Sequence, residues 1–177
     1  MILKTVLVIA IMVLGVLLFA ASKPDTLTAQ RSCSIQASPD KVFGLLNDFH
    51  NWKLWVPQDR EDPNMIRTFG GAPSGIGALS EWTSSGSAGA GRMSITESVP
   101  PQKVSVTVDF ARPFRAHNVN EFTVEPDGSS VRVTWSMHGS NLYIMKLMSV
   151  FVNMDKVLGS HFETGLKNLK AVAEQKS

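Results

Sequence analysis

The sequence has 177 residues but only one cysteine, Cys33. A single cysteine excludes an intramolecular disulfide, so cysteine usage gives no information on the redox compartment. Charged residues are also few, at 18%, and the formal net charge of +2 comes from interspersed residues rather than from a basic run. Nothing therefore indicates a nucleic-acid partner. The apolar share of 44% is typical of a globular chain and not of a disordered one.

Motifs for metal, nucleotide or nucleophilic chemistry are missing as well. The four histidines, His50, His117, His138 and His161, show no metal-ligand spacing, and no cysteine pair accompanies them. The glycine-rich stretch 70–77, GGAPSGIG, lacks the Lys-Ser/Thr ending of a phosphate loop, and no G-x-S-x-G elbow exists. The sequence therefore predicts no metal, no cofactor and no catalytic residue, and leaves open whether the protein is an enzyme.

The first 22 residues form an apolar segment with one charge, Lys4. The uncharged run 5–22 is near the lower length limit for crossing a bilayer. It predicts a transmembrane anchor that places the globular part outside the cytoplasm. The alternative is a cleaved signal peptide, with Ala20 and Ser22 at the −3 and −1 positions of the cleavage site.

The residue pattern of the rest of the chain predicts strands, short helices and one long helix. Residues 23–30 are a linker and the start of a first strand, in which Ala29, Arg31 and Cys33 share one face by strict alternation. Ser38 and Pro39 then open a short helix. Six further strands are predicted, joined by short turns and therefore antiparallel, at 64–70, 78–84, 91–99, 103–110, 114–125 and 131–138.

From about 140 to 174 the apolar period becomes helical, which predicts one long C-terminal helix. A curved antiparallel sheet with one apolar face needs a cover, and this helix is the only element large enough. The predicted fold is therefore α+β, with a seven-stranded antiparallel sheet wrapped around the helix and a cavity between them.

The chain resembles the START/Bet v 1-like helix-grip superfamily, also called SRPBCC or polyketide cyclase/dehydrase-like. Five stretches carry the resemblance: RSCSIQASPDKVFGLLNDFHNWKLWVP, GIGALSEW, GAGRMSITESVPPQKV, FTVEPDGSSVRVTW and MDKVLGSHFETGLKNLK. The resemblance implies a single helix-grip domain over 27–177, with two short helices after the first strand. The superfamily spans lipid carriers, ligand receptors and a few enzymes.

The leading hypothesis is binding or carriage of a hydrophobic small molecule or lipid in the cavity. Tryptophans in NDFHNWKLWVP are predicted to wall the cavity or its rim, while His50 is interpreted as a surface or capping residue. The predicted ligand-binding residues are Trp52, Trp55, Trp82, Met93, Ile95, Val106, Val108, Asn118, Asn120, Phe122, Trp135, Met148, Val152, Asp155 and Phe162.

Asp155 is singled out because it lies on the apolar stripe of the predicted helix. It is expected to face the sheet and to pair with Arg31 or with Asn118 and Asn120. Two alternatives remain. One is a polyketide cyclase/dehydratase-like enzyme with Asp155 as acid/base, and the other is a cell-envelope interaction module with a filled core. Ligand identity and oligomeric state stay open.

Overall fold

A computed structural model describes residues 2–62, 64–86 and 88–175. Met1 of the predicted membrane segment and residues 176–177 of the predicted domain lie outside the described residues.

One antiparallel sheet of seven strands forms the body of the domain, as predicted. The strand order across the sheet is β1-β7-β6-β5-β4-β3-β2, so the first and last strands in sequence are neighbours. The strands are β1 (Thr26–Ile35), β2 (Ile66–Gly71), β3 (Ala78–Thr83), β4 (Ala90–Val99), β5 (Lys103–Arg112), β6 (Ala116–Asp127) and β7 (Ser130–Ser140).

The inner face of the sheet carries the apolar member of each alternating pair. On β5, Val104, Val106 and Val108 are buried, and their partners on β6 are Phe122, Asn120 and Asn118. This alternation is typical of a sheet with one face on a core. It explains why the strands could be predicted from period alone.

The helices precede, connect and follow the strands, and some of them cover this inner face. They are α1 (Ile2–Ala21), α2 (Pro39–Leu46), a 3-10 helix (Phe49–Leu54), α3 (Pro57–Glu61), α4 (Tyr143–Met148) and α5 (Met154–Ala173). Ser38 caps α2 by accepting a hydrogen bond from the amide of Lys41 at 3.3 Å, and Pro39 lies in its first turn. The 20-residue α5 packs mainly along β1 and also contacts β7 and α2.

The predicted long C-terminal helix is present as α5, but its predicted start near residue 140 was wrong. Strand β7 continues to Ser140, and the following residues form the short α4, a turn at 149–153 and then α5. Asn153 begins α5 because its side chain accepts a hydrogen bond from the amide of Lys156 at 3.1 Å. A side-chain cap of this kind starts a helix rather than continuing one.

Helix α1 is the one element that could cross a membrane among the described residues, judged by length and composition. Its apolar window has a mean hydropathy of 2.8, and none of that window is buried in the protein. Its C-terminal end touches the domain. There the Tyr143 hydroxyl donates to the Leu17 carbonyl at 3.1 Å, and the Lys23 ammonium donates to the Ser149 carbonyl at 3.0 Å.

Candidate ligand-binding face

The tryptophans of NDFHNWKLWVP lie inside the domain. Trp52 is 5% exposed and Trp55 is fully buried. Their indole N–H groups donate to the carbonyls of Leu46 (3.0 Å) and Leu45 (3.2 Å), at the end of α2. Those carbonyls have no partner within the helix. The two side chains therefore hold the end of α2 against the core. His50, in contrast, is exposed.

An aromatic cluster fills the space between the sheet and α5. Its members are Trp52, Trp55, Phe122, Trp135 and Phe162. Trp135 lies at the centre, stacked on Phe162 with ring centroids 4.3 Å apart and tilted against Phe122 at 5.1 Å. Its indole N–H donates to Asn120 Oδ1 at 2.8 Å. The predicted wall residues Trp52 and Trp55 thus pack on each other, while Phe162 packs on Trp135.

The predicted sheet wall is brought together on one face. The residues placed on the inner face of the sheet are Trp82, Met93, Ile95, Val106, Val108, Asn118, Asn120, Phe122 and Trp135. All are buried except Asn118, which is half-buried. Their role as ligand contacts stays a prediction.

The predicted helix wall is wrong in two places. Met148 is 49% exposed and Val152 is 43% exposed, because the residues before Asn153 belong to α4 and a turn rather than to the helix on the sheet. Neither side chain lies between the sheet and α5.

Asp155 is a further correction. Its side chain is 59% exposed instead of facing the interior. The expected pairing with Arg31 is present, with Oδ2 3.0 Å from Nη2, whereas Asn120 is bonded to Trp135. The Arg31 hydrogen bond lowers the pKa of Asp155, and Glu163 also pairs with Arg31 at 2.8 Å. A carboxyl with a lowered pKa in an exposed ion pair is poorly suited to acid/base catalysis.

A buried polar cluster lies on the inner face and was missed by the sequence analysis. Asp59 of α3 and Arg67 of β2 form an ion pair, with side chains only 4% and 16% exposed. Arg67 also donates to the hydroxyl of the fully buried Ser80 on β3 at 3.0 Å. Arg67 is on the inner face because it is opposite Trp82 in the β2–β3 register. Asp59, Arg67 and Ser80 are called the polar cluster below.

Two atoms of the polar cluster have no hydrogen-bond partner among the described residues. They are Oδ2 of Asp59, an acceptor, and Nε of Arg67, a donor. Buried polar atoms are nearly always bonded, so each such exception calls for an explanation. A group that both donates and accepts a hydrogen bond would satisfy this pair of atoms.

A groove of about 750 Å³ opens at one end of the sheet. Residues of β3, β4, β5, β6 and the end of β7 line it, among them Trp82, Phe110 and Ser140, together with Arg115 from the connection between β5 and β6. Trp82 packs edge-on against Phe110 with centroids 5.4 Å apart. Trp82 therefore belongs both to the groove wall and to the row of the inner face that contains Arg67.

The sheet, the covering helix and the buried inner face define a helix-grip protein. The family model for polyketide cyclase/dehydrase and lipid transport matches residues 26–174. The chain belongs to this SRPBCC-like family.

Solved structures of low identity share the fold. A Chromobacterium violaceum protein is 15% identical with a TM-score of 0.60, covering 86% of this chain and 100% of its own. The Aha1 dimer from Colwellia psychrerythraea is 16% identical with a TM-score of 0.58, covering 84% and 96%. The di-domain ARO/CYC StfQ from the steffimycin biosynthetic pathway is 11% identical with a TM-score of 0.62, covering 84% and 51%. No curated protein matches the chain significantly.

Proposed function

We propose that the domain binds a neutral amphiphile, a hydrophobic small molecule or lipid with a hydrogen-bonding head, on the inner face of the sheet. The observation that carries this proposal is the polar cluster, with an unpartnered acceptor on Asp59 and an unpartnered donor on Arg67. The function needs no covalent chemistry. Apolar contact with the inner face supplies binding free energy of about 25 cal/mol per Å² buried, before ordering costs.

The polar cluster restricts the kind of head group that the ligand would carry. The ion pair already neutralises itself, and a further buried charge would need a counter-charge that the cluster does not offer. Asp59 Oδ2 accepts a hydrogen bond and Arg67 Nε donates one. An alcohol or a protonated carboxylic acid meets both demands, whereas an ether or ester lacks the donor.

The apolar part of the ligand would lie along the predicted sheet wall. Met93 and Val108 are opposite one another, and Ser80 of the polar cluster is the next residue in the same cross-strand row. An alkyl chain whose head group is held at the polar cluster would therefore run past Ser80 and over these two side chains. The groove beside Trp82 offers an entrance.

We further propose that α1 is retained as an anchor, with the domain on the extracytoplasmic side. The contact of Tyr143 with Leu17 supports retention, because it makes the end of α1 part of the folded domain. Intact-mass measurement of the membrane-extracted protein tests this. A mature chain beginning at Lys23 would overturn the anchor.

Photo-crosslinking of the full chain in proteoliposomes tests the ligand site. The probe is a sixteen-carbon alcohol that carries a mid-chain diazirine, and its methyl ether is the matched control. We expect the alcohol to label peptides that contain Met93 or Val108, and the ether to label them several-fold less. Label confined to α1 and the outer surface would contradict the proposal.

Variants of the polar cluster complete the test. Removing one partner of a buried ion pair typically costs about 3–5 kcal/mol, so the double variant Asp59→Asn/Arg67→Met is preferred to either single change. It should keep its fluorescence and lose inner-face labelling. The control is Arg132→Met on the outer face of β7, where Arg132 is exposed and lies outside the groove. Equal labelling of the parent and both variants would overturn the assignment of the cluster.

A filled-core interaction module is the second candidate. The aromatic cluster favours it, because five large rings already occupy the space beneath α5. Absence of any alcohol label on the inner face would decide for this alternative.

A further inference from the structure

Six large apolar side chains are exposed within one segment, which comprises α4, the turn after it and the first turn of α5. They form what is called the apolar ridge below: Tyr143, Ile144, Met148, Phe151, Val152 and Val157. Phe151 is 75% exposed. Single exposed apolar residues are common, but large exposed apolar patches on a domain usually mark a surface that meets a partner or a membrane.

The ridge is fixed to the end of α1. The Tyr143 hydroxyl bonds the carbonyl of Leu17, which is four residues before the last residue of α1, Ala21. At 1.5 Å per residue, Tyr143 reaches about 6 Å back along the helix from its end. A 20-residue helix is about 30 Å long, which equals the thickness of the hydrocarbon core. A membrane that holds α1 therefore begins at the level of the ridge.

We infer that the apolar ridge inserts into the interface of the bilayer that α1 crosses, so that the domain lies on the membrane in one fixed orientation. Continuity with α1 identifies the occupant as lipid. Interfacial elements bury their apolar face about 5–10 Å into the boundary between headgroups and acyl chains, which matches the depth given by Tyr143. This inference rests on the proposed retention of α1.

Charge around the ridge agrees with a lipid partner of any headgroup. Residues 143–157 contain three charged side chains, Lys146, Asp155 and Lys156. The Lys146 ammonium is bound to Asp25 and the residue is only 7% exposed, while Asp155 pairs with Arg31. Lys156 is the one exposed lysine in that segment, so insertion into neutral phosphatidylcholine depends on apolar contact and should be insensitive to salt.

The orientation has a functional consequence. Ser140, the last residue of β7, lies next to Thr26 near the end of α1, and it also lines the groove. The far end of the sheet carries the turn at Gly128 and Ser129. The membrane-bound domain thus presents the groove toward the bilayer, from which an amphiphile can enter without crossing water.

Depth-dependent quenching of single labels tests the inference. The full chain, with Cys33→Ser, carries one new cysteine labelled with the fluorophore NBD, in phosphatidylcholine vesicles containing shallow or deep doxyl lipids. The sites are Phe151→Cys in the ridge, Ser129→Cys at the far turn and Leu14→Cys in α1. We expect shallow doxyl lipid to quench the Phe151 label roughly threefold more than the Ser129 label, in low and high salt alike.

Each other outcome is decisive. A Phe151 label as unquenched as the Ser129 label, with the Leu14 label quenched, would refute ridge insertion while leaving the anchor intact. An unquenched Leu14 label would refute the anchor itself. Energy transfer between Phe151 labels that persists at very low protein-to-lipid ratio would show that a second copy of the chain covers the ridge.

Discussion

Replacing Gly165 with alanine should destabilise the domain, although alanine is the better helix former. Gly165 is buried in the middle of α5, and a Cβ atom there would lie 2.7 Å from Trp135 Cζ3. The indole cannot easily withdraw, because it is stacked on Phe162 and hydrogen-bonded to Asn120. Overpacking typically costs about 1–3 kcal/mol. The higher helix propensity of alanine offsets about 1 kcal/mol of this cost at most. A net loss of about 1 kcal/mol in the free energy of unfolding follows.

Urea unfolding of the full chain in detergent, followed by tryptophan fluorescence, measures this loss. All four tryptophans lie between residues 52 and 135, so the signal reports the domain and not α1. Gly44→Ala is the matched control, because Gly44 is exposed on α2 and its Cβ would meet no atom within 4 Å. That variant should gain about 0.5–1 kcal/mol. Equal stabilisation of both variants would show that Trp135 moves freely and would refute the reasoning.

Three further predictions concern single side chains. Because hydrogen bonding to Arg31 lowers the pKa of Asp155 from 3.8, the pair stabilises the fold above that pH and loses its effect as pH falls through the folded value. Asp155→Asn should therefore unfold at lower urea than the parent at neutral pH and equally in strong acid; a constant difference would contradict this. Burial raises the pKa of Cys33, so iodoacetamide should modify it several-fold more slowly in the folded protein than in urea, and equal rates would place the thiol in solvent. Trp55→Phe removes the hydrogen bond to Leu45 and part of the buried ring, and should cost about 1–3 kcal/mol of unfolding free energy; an unchanged urea midpoint would argue against close packing.

The sheet could be predicted from sequence because each strand has one buried face. Apolar and polar residues alternate along β5 and β7, and the apolar ones lie against the core. Short turns between consecutive strands allow only antiparallel pairing. The C-terminal region was harder. Ile144, Met148 and Phe151 fall on the same helical stripe as Phe162, but the first three are exposed on α4 and the turn after it, whereas the last lies on the sheet. A helical period shows that a face is apolar and does not show which partner covers it.

The polar cluster was missed for a different reason. Asp59 stands in a polar stretch, PQDREDPN, that looks solvent-exposed in sequence, and Arg67 lies on an edge strand without clear alternation. The Arg67 side chain faces inward because β2 and β3 pair in the register that places Arg67 opposite Trp82. The two strands are joined by a glycine-rich connection. Register is set by that connection and by packing, so it cannot be read from either strand alone.

The pairing of β1 with β7 sets the order in which the domain can fold. More than half of the chain separates every residue of β1 from its partner on β7. At about 5–20 residues per second, roughly 5–20 s of synthesis pass before β1 acquires its partner. During that interval the strand is an open edge, which is prone to pair with other chains. Its outward positions, Thr28, Gln30, Ser32 and Ser34, are all polar, so the face that stays exposed in the folded domain adds no apolar surface to the strand before β7 is synthesised.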